Sequence, residues 1–220
     1  MSRQEYDFSD CNATAEYTEE YLCDVVRCKY DNVHASQIFK ALDLARGAHA
    51  GQLRCNNIPY IVHPMRVALM LMKFEKTTTA KVVIAALLHD TIEKTCLTKD
   101  DIEQAFDKYV AKLVLSITRN HDAQNLQEKR IAKLHNWQEI MASSHEVRAI
   151  KTFEDLDNMI CWKVIPADSP CINKIPRWLE EAQEMSLPLA YATNMEAYIV
   201  MRQEYEYYVK QGFADQPITI

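Results

Sequence analysis

Apolar residues recur at helical spacing along most of this 220-residue chain, whereas strand-type alternation is nearly absent. Ile38, Leu42 and Ala45, for example, follow one another at intervals of three or four residues, which places them on one face of a helix. No internal repeat of fixed period accompanies the pattern. Because 48% of the residues are hydrophobic, the chain can bury a substantial core. The sequence therefore predicts an all-α fold, built as a single helical bundle.

Several residues mark where these helices begin and end. Gly51 suits the end of a helix that starts near His34, and Pro64 suits the first turn of the next helix. The polar stretch 119–130 predicts a loop before a helix at about 131–141. Two pairs at capping-box spacing predict later helix starts: Thr98 with Asp101, and Ser143 with Glu146.

The chain divides into two parts by composition. Residues 1–32 carry scattered aromatic side chains among acidic ones and predict an N-terminal extension, whereas 33–220 predict the helical domain with its C-terminal helices. The first twenty residues are polar and acidic, and no apolar stretch reaches the length of a membrane span. We therefore expect a cytoplasmic protein without a membrane partner.

Composition also excludes several classes of function. Only three glycines occur, so Gly-rich phosphate loops of the Walker or dinucleotide type are excluded. The net charge is -6 and no dense Lys/Arg run occurs, which argues against a nucleic-acid partner. The seven cysteines form no CxxC pair and are expected to be reduced thiols.

Ligand-type side chains interrupt one of the most apolar helices. The run 80–88 is closed by His89 and Asp90, and Glu93 follows within one turn. Burying an imidazole and two carboxylates there would be costly unless something pairs with them, and a divalent cation is a suitable partner. This pattern predicts a metal site.

The remaining metal ligands must come from elsewhere in the chain. His63, just before Pro64, is one candidate, and either Glu154 or Asp157 can supply a carboxylate from a later helix. Two imidazoles with two carboxylates suit Mn²⁺, Fe²⁺, Zn²⁺ or Mg²⁺. A cation with an open position supports metal-assisted hydrolysis of a phosphorylated substrate.

Three segments in order carry a family resemblance. Residues 48–54 (AHAGQLR), 59–64 (PYIVHP) and 85–95 (AALLHDTIEKT) resemble the HD-superfamily hydrolase domain of the RelA/SpoT group. That group of metal-dependent phosphohydrolases includes stand-alone small alarmone hydrolases of the metazoan Mesh1 type. The resemblance extends over roughly residues 35–160.

The resemblance implies a manganese-dependent helical enzyme that removes the 3′-pyrophosphate from guanosine tetra- or pentaphosphate, a small-molecule phosphorylated nucleotide. Related members also remove a phosphate from NADPH. By position, His63, His89 and Asp90 match the family's metal ligands, and Glu154 takes the position of a fourth. Glu93 matches the acid that positions or activates water, and Arg54 and Asn158 match substrate-binding residues. We expect Lys94 as a further catalytic residue and Tyr60 as a further substrate-binding residue.

Two positions depart from the family pattern. Lys94 replaces an acid that usually follows Glu93, and Glu154 replaces an aspartate ligand. Lys94 can bind a phosphate, or it can pair with Asp90 and compete with the metal. Because of both departures, a second hypothesis is a catalytically impaired nucleotide-binding or sensing protein on the same scaffold. A third hypothesis is a helical interaction module whose histidines are structural.

Overall fold

Helices form nearly all of the regular structure in the computed structural model, which describes residues 5–119 and 125–213. Within these ranges the strand-like pairing is limited to an isolated antiparallel bridge between Leu53 and Pro59. The all-α prediction is confirmed. The α-helices are α1 (Ala15–Lys29), α2 (Asn32–Ala48), α3 (Val62–Phe74), α4 (Ala80–Leu88), α5 (Thr91–Lys94), α6 (Lys99–Ala105), α7 (Lys108–Ile117), α8 (Leu126–Met141), α9 (His145–Cys161), α10 (Ile175–Glu181), α11 (Leu187–Thr193) and α12 (Met195–Lys210).

Helix α4 lies at the centre of the bundle. Every residue of α4 except Lys81 is buried, as expected for a helix that is apolar on all sides. It packs against α2, α3 and α7, while α9 lies against α3 and α12. The C-terminal end of α4 and the N-terminal end of α3 therefore meet inside the molecule, which brings His89 close to His63.

Local sequence signals predicted two helix boundaries correctly. Helix α2 ends at Ala48, and Gly51 follows with φ of 76°, a backbone conformation that glycine adopts without strain. The Thr98–Asp101 capping box is present at the start of α6. Both predictions are confirmed.

Two predicted boundaries are wrong. Helix α9 begins after Ser144, which makes no side-chain capping bond, and the Ser143 hydroxyl instead donates to the Glu139 carbonyl. Helix α8 begins at Leu126, so 126–130 are helical rather than loop, while 120–124 lie outside the described residues. Asn125 caps α8 by accepting from the Glu128 N–H, a signal that was present in the sequence.

The cysteine prediction is wrong for one pair. Cys55, in the loop before α3, forms a disulfide with Cys171, and the two Cα atoms are 6.2 Å apart. Their separation of 116 residues hid the pairing, because disulfide connectivity does not follow from sequence alone. The other five cysteines are free thiols, as expected. No helix in the described part of the chain is long and apolar enough to cross a membrane.

Candidate metal centre and adjoining cavity

Three predicted ligands form one buried group. One ligand atom from each of His63, His89 and Asp90 lies within 4.8 Å of the others. His63 is the second residue of α3, His89 follows the last residue of α4, and Asp90 is the N-cap of α5. Their exposed fractions are 1–3%. The break between α4 and α5 turns two consecutive side chains toward the start of α3.

Hydrogen bonds fix both imidazoles through Nδ1. His89 Nδ1 lies 2.8 Å from the Ala86 carbonyl, which can only accept, so Nδ1 carries the proton. His63 Nδ1 lies 2.6 Å from Asp157 Oδ2. In the neutral imidazoles the Nε2 lone pairs are then available, which is the arrangement that metal-binding histidines adopt.

Within residues 5–119 and 125–213, the buried Nε2 of His89 has no hydrogen-bond partner. It lies 3.2 Å from Asp90 Oδ2 without the alignment of a hydrogen bond, and His63 Nε2 lies 3.7 Å from the same oxygen. An unpaired polar atom in the interior is unfavourable unless a ligand meets it. Two imidazole nitrogens and a carboxylate oxygen around one point therefore fit a divalent cation.

The side chains of this group change one another's pKa. Burial and the nearby Arg54 guanidinium lower the pKa of His63 to about 4. For His89, burial is outweighed by the attraction of Asp90, which raises the pKa of that imidazole. Burial would raise the pKa of Asp90, but His89 and Lys94 hold it well below its usual value. Asp90 is therefore ionised, as a metal ligand must be.

Glu93 and Lys94 lie beside the ligand group. The Glu93 carboxylate accepts two side-chain hydrogen bonds from Arg119, at 2.9 and 3.2 Å, and its side chain is 6% exposed. Although burial opposes it, the Arg119 charge lowers the pKa of Glu93. The Lys94 ammonium donates to Asp90 Oδ1. The structure thus has Lys94 paired with Asp90, the second of its two expected behaviours.

The two candidate carboxylates of α9 face different partners. Glu154, predicted as the fourth ligand, accepts a 2.9 Å hydrogen bond from Lys151, and it is outside the group of ligand atoms around His89. Burial alone would raise its pKa, but Lys151 lowers it to about 2. Asp157 accepts from Arg66 on one oxygen and contacts His63 Nδ1 with the other. Asp157 therefore orients the His63 ring through its Nδ1 atom, on the side of the ring away from the ligand group.

The predicted substrate-binding residues contact one another or the metal group. Arg54 donates a 2.7 Å hydrogen bond to Asn158 Oδ1, and its guanidinium carbon lies 5.8 Å from the centre of the Tyr60 ring. The second Arg54 amino group has no hydrogen-bond partner in the described part of the chain, and it lies 3.8 Å from Asp157 Oδ2. The Tyr60 hydroxyl donates to Asp90 Oδ2 at 2.6 Å.

A cavity of about 410 Å³ adjoins the metal group. Tyr60 and Lys94 form the link, because both line the cavity and both contact Asp90. The volume is in the range of small-molecule sites. Its lining includes five cationic side chains (Arg54, Lys94, Arg119, Lys133 and Lys151) and three carboxylates (Glu154, Asp155 and Glu181). Because the cations outnumber the carboxylates, the lining suits a small anionic ligand.

Sequence reasoning missed several residues of this site. Arg119 and Lys151 hold Glu93 and Glu154, and Arg66 holds Asp157. His49 lies nearby, with its ring stacked on Tyr60 at 4.7 Å. The one-turn spacing from Lys151 to Glu154 and Asp155 was a readable signal. The Arg66 and Arg119 pairs join residues far apart in the chain and had no local signal.

Fold and site define a helical domain with a buried His-His-Asp group beside a cation-lined cavity. The chain belongs to the HD domain family, whose profile matches residues 41–177. It is 35% identical over 139 residues to a guanosine-3′,5′-bis(diphosphate) 3′-pyrophosphohydrolase of Borreliella burgdorferi, covering 62% of this chain and 20% of that protein. It is 36% identical over 137 residues to the bifunctional (p)ppGpp synthase/hydrolase SpoT of Escherichia coli, covering 61% and 19%.

The chain thus spans about a fifth of the length of these curated relatives. A solved structure described as a metazoan ortholog of SpoT that hydrolyzes ppGpp superposes with a TM-score of 0.68. That superposition covers 82% of this chain and 98% of the solved one at 23% identity. A likeness at this level of identity shows the shared helical fold.

Proposed function

We propose that this chain is a metal-dependent phosphohydrolase that removes the 3′-pyrophosphate from guanosine tetra- or pentaphosphate. One observation carries the proposal: three buried ligand atoms within 4.8 Å of one another lie beside a cation-lined cavity. The activities for which the relatives from Borreliella burgdorferi and Escherichia coli are named support this substrate. A cytoplasmic location, expected from the sequence, belongs to the same proposal.

His63, His89 and Asp90 would hold the cation, for which we expect Mn²⁺. Glu154, which is paired with Lys151, is proposed as a further ligand from the family position alone. When bound, such a cation lowers the pKa of its water and polarises a phosphoryl oxygen. Asp157 and the Ala86 carbonyl keep the two imidazoles in the orientation that presents Nε2. The protein thus supplies a preorganised donor set before the substrate arrives.

The remaining side chains of the site would accept a proton from water and bind the phosphates and the nucleotide. Glu93 is ionised because Arg119 lowers its pKa, and it can accept a proton from the attacking water. Arg54 and Asn158 are paired at the cavity wall and would orient the nucleotide. Lys94 and Arg119 line the same cavity, where their charges can meet the phosphates.

The test is release of pyrophosphate from guanosine tetraphosphate by the full chain with Mn²⁺. We expect turnover that EDTA abolishes, and a loss of about 1000-fold or more in His89→Ala, because several kcal/mol of charge stabilisation are removed. His135→Ala is the matched control, since His135 is an exposed histidine outside the site. Turnover that persists in His89→Ala contradicts the proposal.

A second candidate function rests on the pairing of three carboxylates near the cavity with internal cations. Asp90 pairs with Lys94, Glu93 with Arg119, and Glu154 with Lys151. Such a site can bind a nucleotide without hydrolysing it, so the second candidate is a nucleotide sensor. Tight binding of guanosine tetraphosphate without turnover supports the sensor.

Parallel measurement of phosphate release from NADPH tests the other substrate that the family resemblance implies.

A further inference from the structure

The N-terminal segment 5–13 lies against the support of the metal group. Tyr6, Cys11 and Ala13 are buried, with exposed fractions of 3–6%. The Tyr6 hydroxyl bonds Thr18 of α1 at 3.0 Å, and the Cys11 carbonyl accepts from the Asn56 side chain. The segment is therefore fixed both to α1 and to the loop before α3.

Two carbonyls of this segment hold a buried guanidinium. Arg66 of α3 is 1% exposed, and it donates to the Phe8 carbonyl at 2.6 Å and to the Asp10 carbonyl at 3.0 Å. Its guanidinium carbon lies 5.9 Å from the centres of both the Tyr6 and the Phe8 ring. A buried cation needs such partners, because an unpaired charge in the interior is costly.

The same guanidinium reaches the metal group through one carboxylate. Arg66 Nε donates to Asp157 Oδ1, while Asp157 Oδ2 contacts His63 Nδ1 at 2.6 Å. Asp157 is fully buried, and the Arg66 charge lowers its pKa against the effect of burial. The path from segment 5–13 to His63 thus runs through two buried, hydrogen-bonded groups.

We infer that segment 5–13 is a positioning element of the metal centre rather than an appendage to it. The segment fixes Arg66, Arg66 fixes Asp157, and Asp157 holds the His63 ring so that Nε2 faces His89 and Asp90. Arg66 is therefore a positioning residue that acts through Asp157. This inference rests on the metal-dependent function proposed above.

The experiment is a calorimetric titration in which MnCl₂ is added to the full chain after EDTA treatment and dialysis. Loss of an outer partner of a metal-binding histidine typically weakens metal affinity by about 10- to 100-fold. We expect a loss of that size for Arg66→Met and a partial recovery for Arg66→Lys, which keeps a cation beside Asp157. Phe8→Ala leaves Arg66 intact but loosens the segment, and we expect a loss of several-fold.

Arg148→Met is the matched control, because Arg148 of α9 also donates to two backbone carbonyls, those of Met141 and Ser143, without contacting His63. Thermal unfolding in EDTA gives the stability of each variant without metal. Mn²⁺ affinity reduced in Arg66→Met and Phe8→Ala but not in Arg148→Met supports the inference. Unchanged Mn²⁺ affinity in Phe8→Ala overturns it, even where Arg66→Met does not fold. Absence of Mn²⁺ binding by the unmodified chain overturns the proposed function as well.

Discussion

The two sides of the His63–His89 pair differ in how their polar groups are held. On the Nδ1 side of His63, Arg66 donates a hydrogen bond to Asp157 and also donates to two backbone carbonyls. On the cavity side, Asp90 and Glu154 pair with Lys94 and Lys151, and no described residue hydrogen-bonds to His89 Nε2. The first side is fixed by a fully buried arginine, whereas the second is held by partly exposed lysines that a ligand can displace.

This difference separates two kinds of residue in one small site. We expect the side chains on the Nδ1 side of His63 to set the geometry of the donor atoms, so that their loss weakens metal binding. We expect the side chains toward the cavity to pair with Asp90 or to contact the reacting groups and the nucleotide, so that their loss changes turnover, substrate affinity or competition with the metal. Four substitutions test this division, from the largest expected effect to the smallest.

Glu93→Gln should reduce kcat by about 100- to 10,000-fold, the range that a positioned general acid or base contributes. Mn²⁺ affinity should stay within about twofold, because Glu93 is bound to Arg119 rather than grouped with the donor atoms. Steady-state kinetics and metal titration measure the two effects. Glu103→Gln, a surface carboxylate paired with Lys99, serves as the control. A large loss of Mn²⁺ affinity would place Glu93 among the ligands instead.

Lys94→Met should increase Mn²⁺ affinity by about tenfold, because the ammonium that pairs with Asp90 is removed. A hydrogen bond to a charged group is worth about 1.5–3 kcal/mol, which is enough for a factor of this size. Metal titration measures the change, with Lys99→Met as the control. Unchanged or weaker Mn²⁺ binding would show that Lys94 does not compete with the metal.

Arg54→Ala should raise KM for guanosine tetraphosphate by about tenfold and leave Mn²⁺ affinity unchanged, since about 1.5 kcal/mol of charged hydrogen bonding is lost. Because Arg54 donates to Asn158, the double variant with Asn158→Ala should lose less than the sum of the single losses. Steady-state kinetics on the four proteins of the cycle give the coupling. Strict additivity would mean that the two residues act independently on the substrate.

Thr98→Ala should reduce the free energy of unfolding by about 1 kcal/mol, the usual cost of removing an N-cap. Thr98 caps α6 through Asp101 and belongs to neither side of the histidine pair. Urea unfolding measures the stability, and Mn²⁺ titration should show no change. A parallel loss of Mn²⁺ affinity would mean that the metal group is coupled to the packing of α6.

Short-range patterns account for what the sequence predicted correctly. Helical spacing predicted the all-α fold, and the spacing of His89, Asp90 and Glu93 predicted a site at the end of α4. His63 was a candidate both from its place before Pro64 and from the family resemblance, and the structure brings its ring within 5.0 Å of the His89 ring. The metal roles of these residues, and of Glu154, remain predictions.

Long-range pairing accounts for what the sequence could not predict. Asp157 was considered as a substitute ligand, yet its neighbours are Arg66 and His63, 91 and 94 residues away. The residue types alone do not distinguish a carboxylate that binds a metal from one that orients a histidine. The Cys55–Cys171 disulfide was not predicted for the same reason, because 116 residues separate its two cysteines.

The most direct test of the central claim is anomalous X-ray diffraction at the manganese edge from crystals of the full chain grown with Mn²⁺. The account predicts one strong peak within bonding distance of His63 Nε2, His89 Nε2 and an Asp90 oxygen, with Lys94 moved away from Asp90. A strongest peak at any other position, or none among these three residues at saturating Mn²⁺, would contradict it.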